Sequence, residues 1–260
     1  MAKTKWLPYP HSQKEFNFAG DALKKNWSAL HAGDCAAFPK DAALVDAWRH
    51  YHMGDLGDAV EAGLAAGLPG YTVANKAAAM YATYIETKAP AKLKLFEEVM
   101  ARAEEAMKKD AKNANAFYLY AYAAGRYSQG ISVVKALSQG YGGKIRTALE
   151  TALKLEPKHA DAHTAMGAYH AEIIDKVGGM VGGITYGAKK EKGVEHYEKA
   201  LKLAAKSPIT HIEYANGLLM LFGDKEEDKA TELYVKASEM KPRDAVEKLD
   251  VEMAKAELED

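Results

Sequence analysis

Three histidines raise the first question of chemistry. His159, His163 and His170 stand four and seven residues apart, a spacing that brings side chains to one face of a helix. Glu172 and Asp175 follow closely, and imidazole with carboxylate is the donor set of a zinc or iron site. A metal-dependent enzyme in the His159–Glu172 region is therefore one reading. Packing is the reading adopted, because helical histidine pairs commonly arise without a metal; no metal or cofactor is expected. Nucleophilic catalysis finds little support. Cys35 is the one cysteine and adjoins Asp34, an acidic neighbour that disfavours thiolate. There is no Gly-x-Ser-x-Gly elbow. The run Gly178-Gly179-Met180-Val181-Gly182-Gly183 lacks the Gly-Lys-Ser/Thr ending and the preceding strand of a phosphate-binding loop. Its paired four-residue glycine spacings permit close helix contact. It reads equally as an apolar segment folded on its hairpin or as a flexible lip over a ligand cavity.

The elements that must position these residues are helices. Of 260 residues, 48% are hydrophobic and 27% charged, enough for a substantial core. Alanine, leucine, lysine and glutamate dominate, and no alternating Val/Ile/Thr segment suggests a strand. The formal net charge of −1 gives no global attraction to nucleic acid or anionic membranes. Lys189-Lys190-Glu191-Lys192 reads as solvated helix surface. No apolar run approaches the roughly 20 residues that span a bilayer, and Met1 to Pro10 does not read as a secretory signal. The chain is expected to be cytoplasmic, or periplasmic had an export signal been removed.

Helical periodicity predicts helices over residues 18–32, 40–53 and 56–67, then 72–87 and 91–109. A helix from Asn113 returns as 144–155, and 160–176 returns as 188–203. The pattern closes with 208–222, 229–240 and 243–257. A phrase ending one helix and starting the next recurs through this series. Ala152-Leu-Lys-Leu-Glu-Pro157 is echoed at Ala200-Leu-Lys-Leu, Ala106-Met-Lys-Lys and Ala237-Ser-Glu-Met-Lys-Pro242. The matching alanines Ala29, Ala66, Ala106, Ala152, Ala200 and Ala237 are 37, 40, 46, 48 and 37 residues apart. Such a period signals stacked helical hairpins, and arrays of this kind usually bind rather than transform.

Gly54-Asp-Leu-Gly-Asp-Ala-Val60, the pair Met166-Gly167 and the late alanines with their terminal proline resemble the tetratricopeptide repeat over most of residues 18–258. The resemblance implies an all-α, right-handed α-solenoid of about five hairpins with a C-terminal capping helix. Residues 1–17 read as an N-terminal arm and 18–260 as one domain. Two inserts, 128–143 and 173–187, both end in Tyr-Gly. They resemble the long-helix branch that includes the periplasmic TatT-like partners of TRAP transporters, and are also similar to regulators of microtubule dynamics. Those relatives imply ligand or protein binding, not catalysis.

In such an array the first helix of each hairpin lines the concave face. By register that face presents Trp48, Tyr51 and His52, then Asn75. The third hairpin gives Tyr118, Tyr122 and Arg126; the fourth Asp161, Thr164 and Glu172; the fifth Asn216. Aromatic rings with a few polar groups suit a binding wall, and Arg126 could grip a carboxylate in bidentate fashion. Ala121, Gly167 and Ala215 are expected to let the first helices approach closely. The expected function is non-catalytic binding of a protein or peptide on the concave face. The alternative is a small apolar or acidic molecule in a cavity covered by the inserts. No nucleic-acid partner is expected.

Overall fold

Helix boundaries follow local capping chemistry throughout the computed structural model, which describes residues 5–259; residues 1–4 of the expected arm and residue 260 lie outside the described residues. The first short helix, α1 (Ala22–Leu30), starts later than its periodicity suggests. Gly20, at φ +54°, breaks the chain before it, which frees Phe16 and Phe18 to enter the core as extended chain. Helix α2 (Ala42–Met53) opens on Asp41, whose carboxylate accepts the N–H groups of Ala43 and Leu44. It ends at Gly54, φ +87°, a backbone angle that glycine adopts without penalty. Helix α3 (Leu56–Ala65) returns antiparallel.

Four further hairpins follow. The second pairs α4 (Tyr71–Tyr84) with α5 (Ala89–Lys109), and a 3-10 turn at Leu68–Gly70 runs straight into α4. In the third, α6 (Ala114–Gln129), α7 (Val133–Ser138) and α8 (Tyr141–Leu155) show that the first insert forms a short helix capped by Ser132. In the fourth, α9 (Ala160–Val177) is capped by His159, and the second insert is α10 (Gly179–Tyr186), with α11 (Lys190–Leu203) returning. The fifth is α12 (Pro208–Phe222) with α13 (Glu227–Ser238). Helix α14 (Ala245–Glu257) ends the array, capped by Asp244. Among the described residues there is no strand.

Helices α2, α4, α6, α9 and α12 each touch the next, α12 touches α14, and α14 returns to touch α2. The inner wall is therefore a closed ring rather than an open trough. The closing contacts are specific. The Tyr9 hydroxyl donates to the Ala245 carbonyl at 2.8 Å, and Arg243 Nη1 donates to the Ala29 carbonyl at 2.5 Å. Ala245 and Val246 share a core with Trp27, Tyr51 and Leu56, while Ala254 packs with Tyr214 and Tyr234 of the last hairpin. One terminal helix thus belongs to both ends of the array. Burial of its apolar face against two cores, at roughly 25 cal/mol per Å², is what holds the ring shut. The arm packs outside it: Trp6 meets Tyr81 edge to face at 4.8 Å.

Ala121 and Ala215 are buried between helices as close approach requires. Gly167 serves a different joint. A Cβ there would lie 2.8 Å from the Tyr197 ring, so it admits the return helix of its own hairpin rather than the neighbouring first helix.

Candidate functional site

Ring closure walls a half-open cavity of 310 Å³, at the size where small-molecule sites begin. Its walls come from α4, α6, α8, α9, α12 and α14, and the insert α7 lies over it. On α4, Lys76, Met80 and Tyr84 line it at i, i+4 and i+8. Its two sides differ. Ile131, Leu137, Tyr141, Ile145, Ile173 and Val177 make an apolar region where the inserts leave α6 and α9. Lys76, Asp161, Arg243, Asp244, Glu247 and Asp250 make a polar one beneath α14.

Most of the polar side chains satisfy one another. Lys76 bonds to Asp34 and lies 3.7 Å from Asp161. Burial opposes ionisation of Asp34, yet Lys76 and His31 outweigh it and hold its carboxyl well below the usual range. Arg126 Nη2 meets Glu213 at 2.6 Å. Burial works against its charge, but Tyr122 and Glu213 keep it protonated. Arg243 pairs with Glu247. Asp250 differs: it accepts the Tyr84 hydroxyl hydrogen bond and makes no ion pair among the described residues. Burial, with the charges of Glu247, Asp244 and Asp161, raises its carboxyl well above the normal range. Glu172, held by Gln129 at 2.9 Å, is also raised, chiefly by burial. The lining holds six carboxyls against four cationic side chains, Lys76, Arg126, Lys176 and Arg243.

Beside the cavity runs a buried chain of four groups. Asp34 accepts from His31 at 2.8 Å, the His31 and His52 Nε2 atoms are 3.1 Å apart, and His52 Nδ1 donates to Asp244 at 2.6 Å. Trp27 stacks on His31, and Trp48 stacks on His52. Burial pushes His52 down from its usual range, opposed by the Asp244 carboxylate it meets. This chain joins the turn after α1, through α2, to the N-terminus of α14.

Of the residues expected on the inner wall, Tyr51, Tyr118, Tyr122, Arg126, Asp161, Thr164 and Glu172 line the cavity. Four lie elsewhere. Trp48 is buried among the rings of Trp27, His31 and Tyr51. His52 is spent in the histidine chain. Asn75 sits one residue off the Lys76 stripe, and its Oδ1 accepts from Arg102 at 2.7 Å on the α5 side. Asn216 is taken by the Tyr234 hydroxyl of α13. Sequence reasoning missed Lys76, Met80 and Tyr84, although their four-residue spacing was visible. It also missed Arg243, Asp244, Glu247 and Asp250, for which no local signal exists, since their inward aim depends on α14 crossing the ring.

The histidines that suggested a metal are dispersed. His159 Nδ1 caps α9 and its Nε2 meets Asn115 at 3.2 Å. His163 Nδ1 meets His196 Nδ1 at 2.8 Å, and His170 Nδ1 accepts from the Lys189 backbone. No group of three or more His, Cys, Asp or Glu among the described residues is placed to hold a metal. Burial and the nearby Glu156, Asp34 and Asp161 push the Cys35 thiol up to about 11, which suppresses the thiolate.

The expanded central hairpins, the two inserts and the closing helix all fall within one stretch of chain. A family model described as regulator of microtubule dynamics protein 1-3 matches residues 71–260. The chain belongs to that family. The crystal structure of a thermophilic TPR protein from Thermus thermophilus is similar, with a TM-score of 0.57 at 17% identity, covering 82% of this chain and 97% of that one. That likeness shows a tetratricopeptide-like helical repeat fold. No curated protein matches the chain.

Proposed function

We propose that this protein binds a small amphipathic molecule inside the ring, and that it is a binding protein rather than an enzyme. One observation carries the reading: α14 crosses from the last hairpin to the first and converts the concave wall into a cavity with an apolar and a polar side. Tetratricopeptide folds commonly hold proteins or peptides in an open trough. Here such a partner would have to displace α14 and break its bonds to Tyr9, Ala29 and His52. A small molecule needs no such displacement. Ligand binding is also among what the TatT-like resemblance implied.

The lining favours a neutral or cationic polar end over an acidic one. Arg126, expected to grip a ligand carboxylate, already holds Glu213, and carboxyls outnumber cations in the wall. An amine or hydroxyl entering near Asp250 and Glu172 would meet acceptors lacking a cationic partner, whereas a carboxylate would add to their repulsion.

The test compares a straight-chain amine, alcohol and carboxylate of equal length by thermal shift. The amine and alcohol should raise the melting temperature more than the carboxylate, since a ligand at about a hundred times its Kd stabilises by roughly 2.7 kcal/mol. Gly125 lines the cavity, and a Cβ there meets nothing within 4 Å. Gly125→Leu should therefore fill the space without disturbing the helices. It should abolish the ligand response while keeping the fold; a Gly125→Leu protein responding like the parent would end the proposal.

A further inference from the structure

The three most exposed large hydrophobic side chains of the described protein belong to its two inserts. Val134 on α7 is 78% exposed, and Met180 and Ile184 on α10 are 80% and 83% exposed. Val133 and Val181 beside them are also exposed, while every exposed large hydrophobic residue outside the inserts stays between 37% and 42%. Soluble surfaces carry single apolar residues without consequence; clusters of this kind mark contact surfaces.

Topology puts both inserts on one edge. The first helices of an array run parallel, and α7 and α10 leave the C-terminal ends of α6 and α9. Side chains tie the end of α10 to α9 and to α8, the helix that follows α7. The Tyr186 carbonyl at the end of α10 accepts from Arg146 of α8 at 3.1 Å and from the Tyr169 hydroxyl at 3.0 Å. A Cβ at Gly142 would meet the Tyr186 ring at 2.8 Å. Leu137 of α7 and Val177, just before α10, line the same cavity, so the exposed edge is also its rim.

Charge is distributed to match. Residues 131–146 and 176–190 hold six basic residues and no acidic one, in a chain with 29 basic and 36 acidic residues elsewhere. Arg146 reaches Glu150, Lys176 pairs with the adjoining Asp175, and Lys190 lies over Phe222. Lys135, Lys144 and Lys189 are exposed and make no ion pair among the described residues, although Lys144 also lies 5.3 Å from the centroid of the Tyr141 ring. Projecting apolar side chains ringed by unpaired lysines have the chemistry of an interfacial anchor: the apolar tips enter the acyl boundary while the cations meet anionic headgroups. A symmetric contact with a second copy would instead set these lysines against their own kind. Among the described residues no helix is long and apolar enough to cross a membrane, and the contact considered is a superficial one.

We infer that the α7–α10 edge is a docking lip for an anionic bilayer surface, with Val134, Met180 and Ile184 as its anchors. This goes beyond cavity binding and stands or falls separately, because none of those three residues, nor the three lysines, lines the cavity.

The full chain should co-sediment with vesicles of phosphatidylserine in phosphatidylcholine and stay free with phosphatidylcholine alone, and added salt should release it. Met180→Ser with Ile184→Ser should lower partitioning about tenfold or more at an unchanged melting temperature and an unchanged response to cavity ligands. Lys135→Glu, Lys144→Glu and Lys189→Glu together should do the same through charge. Failure to bind anionic vesicles, or binding indifferent to both sets, overturns the inference. So does a dimer in sedimentation velocity that the serine substitutions dissolve, which gives the edge to a second copy. Binding of poly-glutamate in preference to vesicles would give it to an acidic protein and also overturn it.

Discussion

Gly217→Ala exchanges one hydrogen for one methyl group, and its cost follows from the surroundings of one tyrosine. Tyr197 of α11 is 1% exposed and stacks on Tyr214 at 5.0 Å. A Cβ at Gly217 on α12 would overlap its Cε2 and lie 2.6 Å from its hydroxyl. Retreat is blocked, since a Cβ at Gly167 on α9 would already meet the opposite side of the ring at 2.8 Å. The ring is clamped between two helix backbones that each form part of the cavity wall. Overpacking costs roughly 1–3 kcal/mol, and a contact this short belongs at the upper end. Alanine recovers about 1 kcal/mol through helix propensity. The net loss is about 2 kcal/mol, and at about 2–4 °C per kcal/mol for a chain of this size the melting temperature should fall by about 4–8 °C. Gly125→Ala is the control. It makes the same chemical change in mid-helix with nothing within 4 Å, so it should raise the melting temperature by about 1–4 °C. Thermal denaturation followed by circular dichroism reads both. Combining Gly217→Ala with Tyr197→Leu should cost less than the sum of the two, as expected for residues in contact. A Gly217→Ala protein as stable as its parent, with strict additivity, would refute the clamp.

Two predictions concern protons. Burial drives the His170 and His196 rings down from 6.5 to about 4, with His163 and Lys192 adding repulsion around His196 and Arg146 around His170. Between about pH 6.5 and 4 the unfolded chain binds protons that the folded chain refuses, so the melting temperature should fall on acidification through that window; His170→Gln with His196→Gln should flatten the profile, and an unchanged slope would count against it. Asp250 has the opposite sign: its contribution is present at low pH and is lost as pH rises through its raised folded value. Asp250→Asn keeps an oxygen to accept the Tyr84 hydroxyl and should be more stable than the parent, by a margin that grows toward alkaline pH. A margin that shrinks would show that the carboxylate has a cationic partner.

The proposed site and the proposed lip divide the labour of the two inserts. Their inward residues, Leu137, Tyr141, Ile173 and Val177, finish the apolar side of the cavity. Their outward ones, Val134, Met180 and Ile184, are left in solvent. The glycines of α10 let it lie close over α9 and the turn that leads into α11, with Gly182 against Ile173 and Ala188, so the same segment serves both faces.

The sequence by itself determined the paired helices. Their periodicity, the Gly54-Asp turn and the recurring inter-helix phrase are local signals, each acting within a turn or two. It also determined much of the wall, since Tyr118, Tyr122, Arg126, Asp161 and Glu172 follow from helical register alone. The fate of α14 was decided only in tertiary structure. An amphipathic terminal helix reads identically whether it seals one end or spans to the other, because its apolar face does not name the surface that will cover it. The array curves until residue 245 meets residue 9, and such curvature is set by distant packing, as of Gly167 and Gly217 around Tyr197. Once the ring closes, Asp244 and Asp250 turn inward, His52 leaves the wall to bind Asp244, and an open trough becomes a cavity.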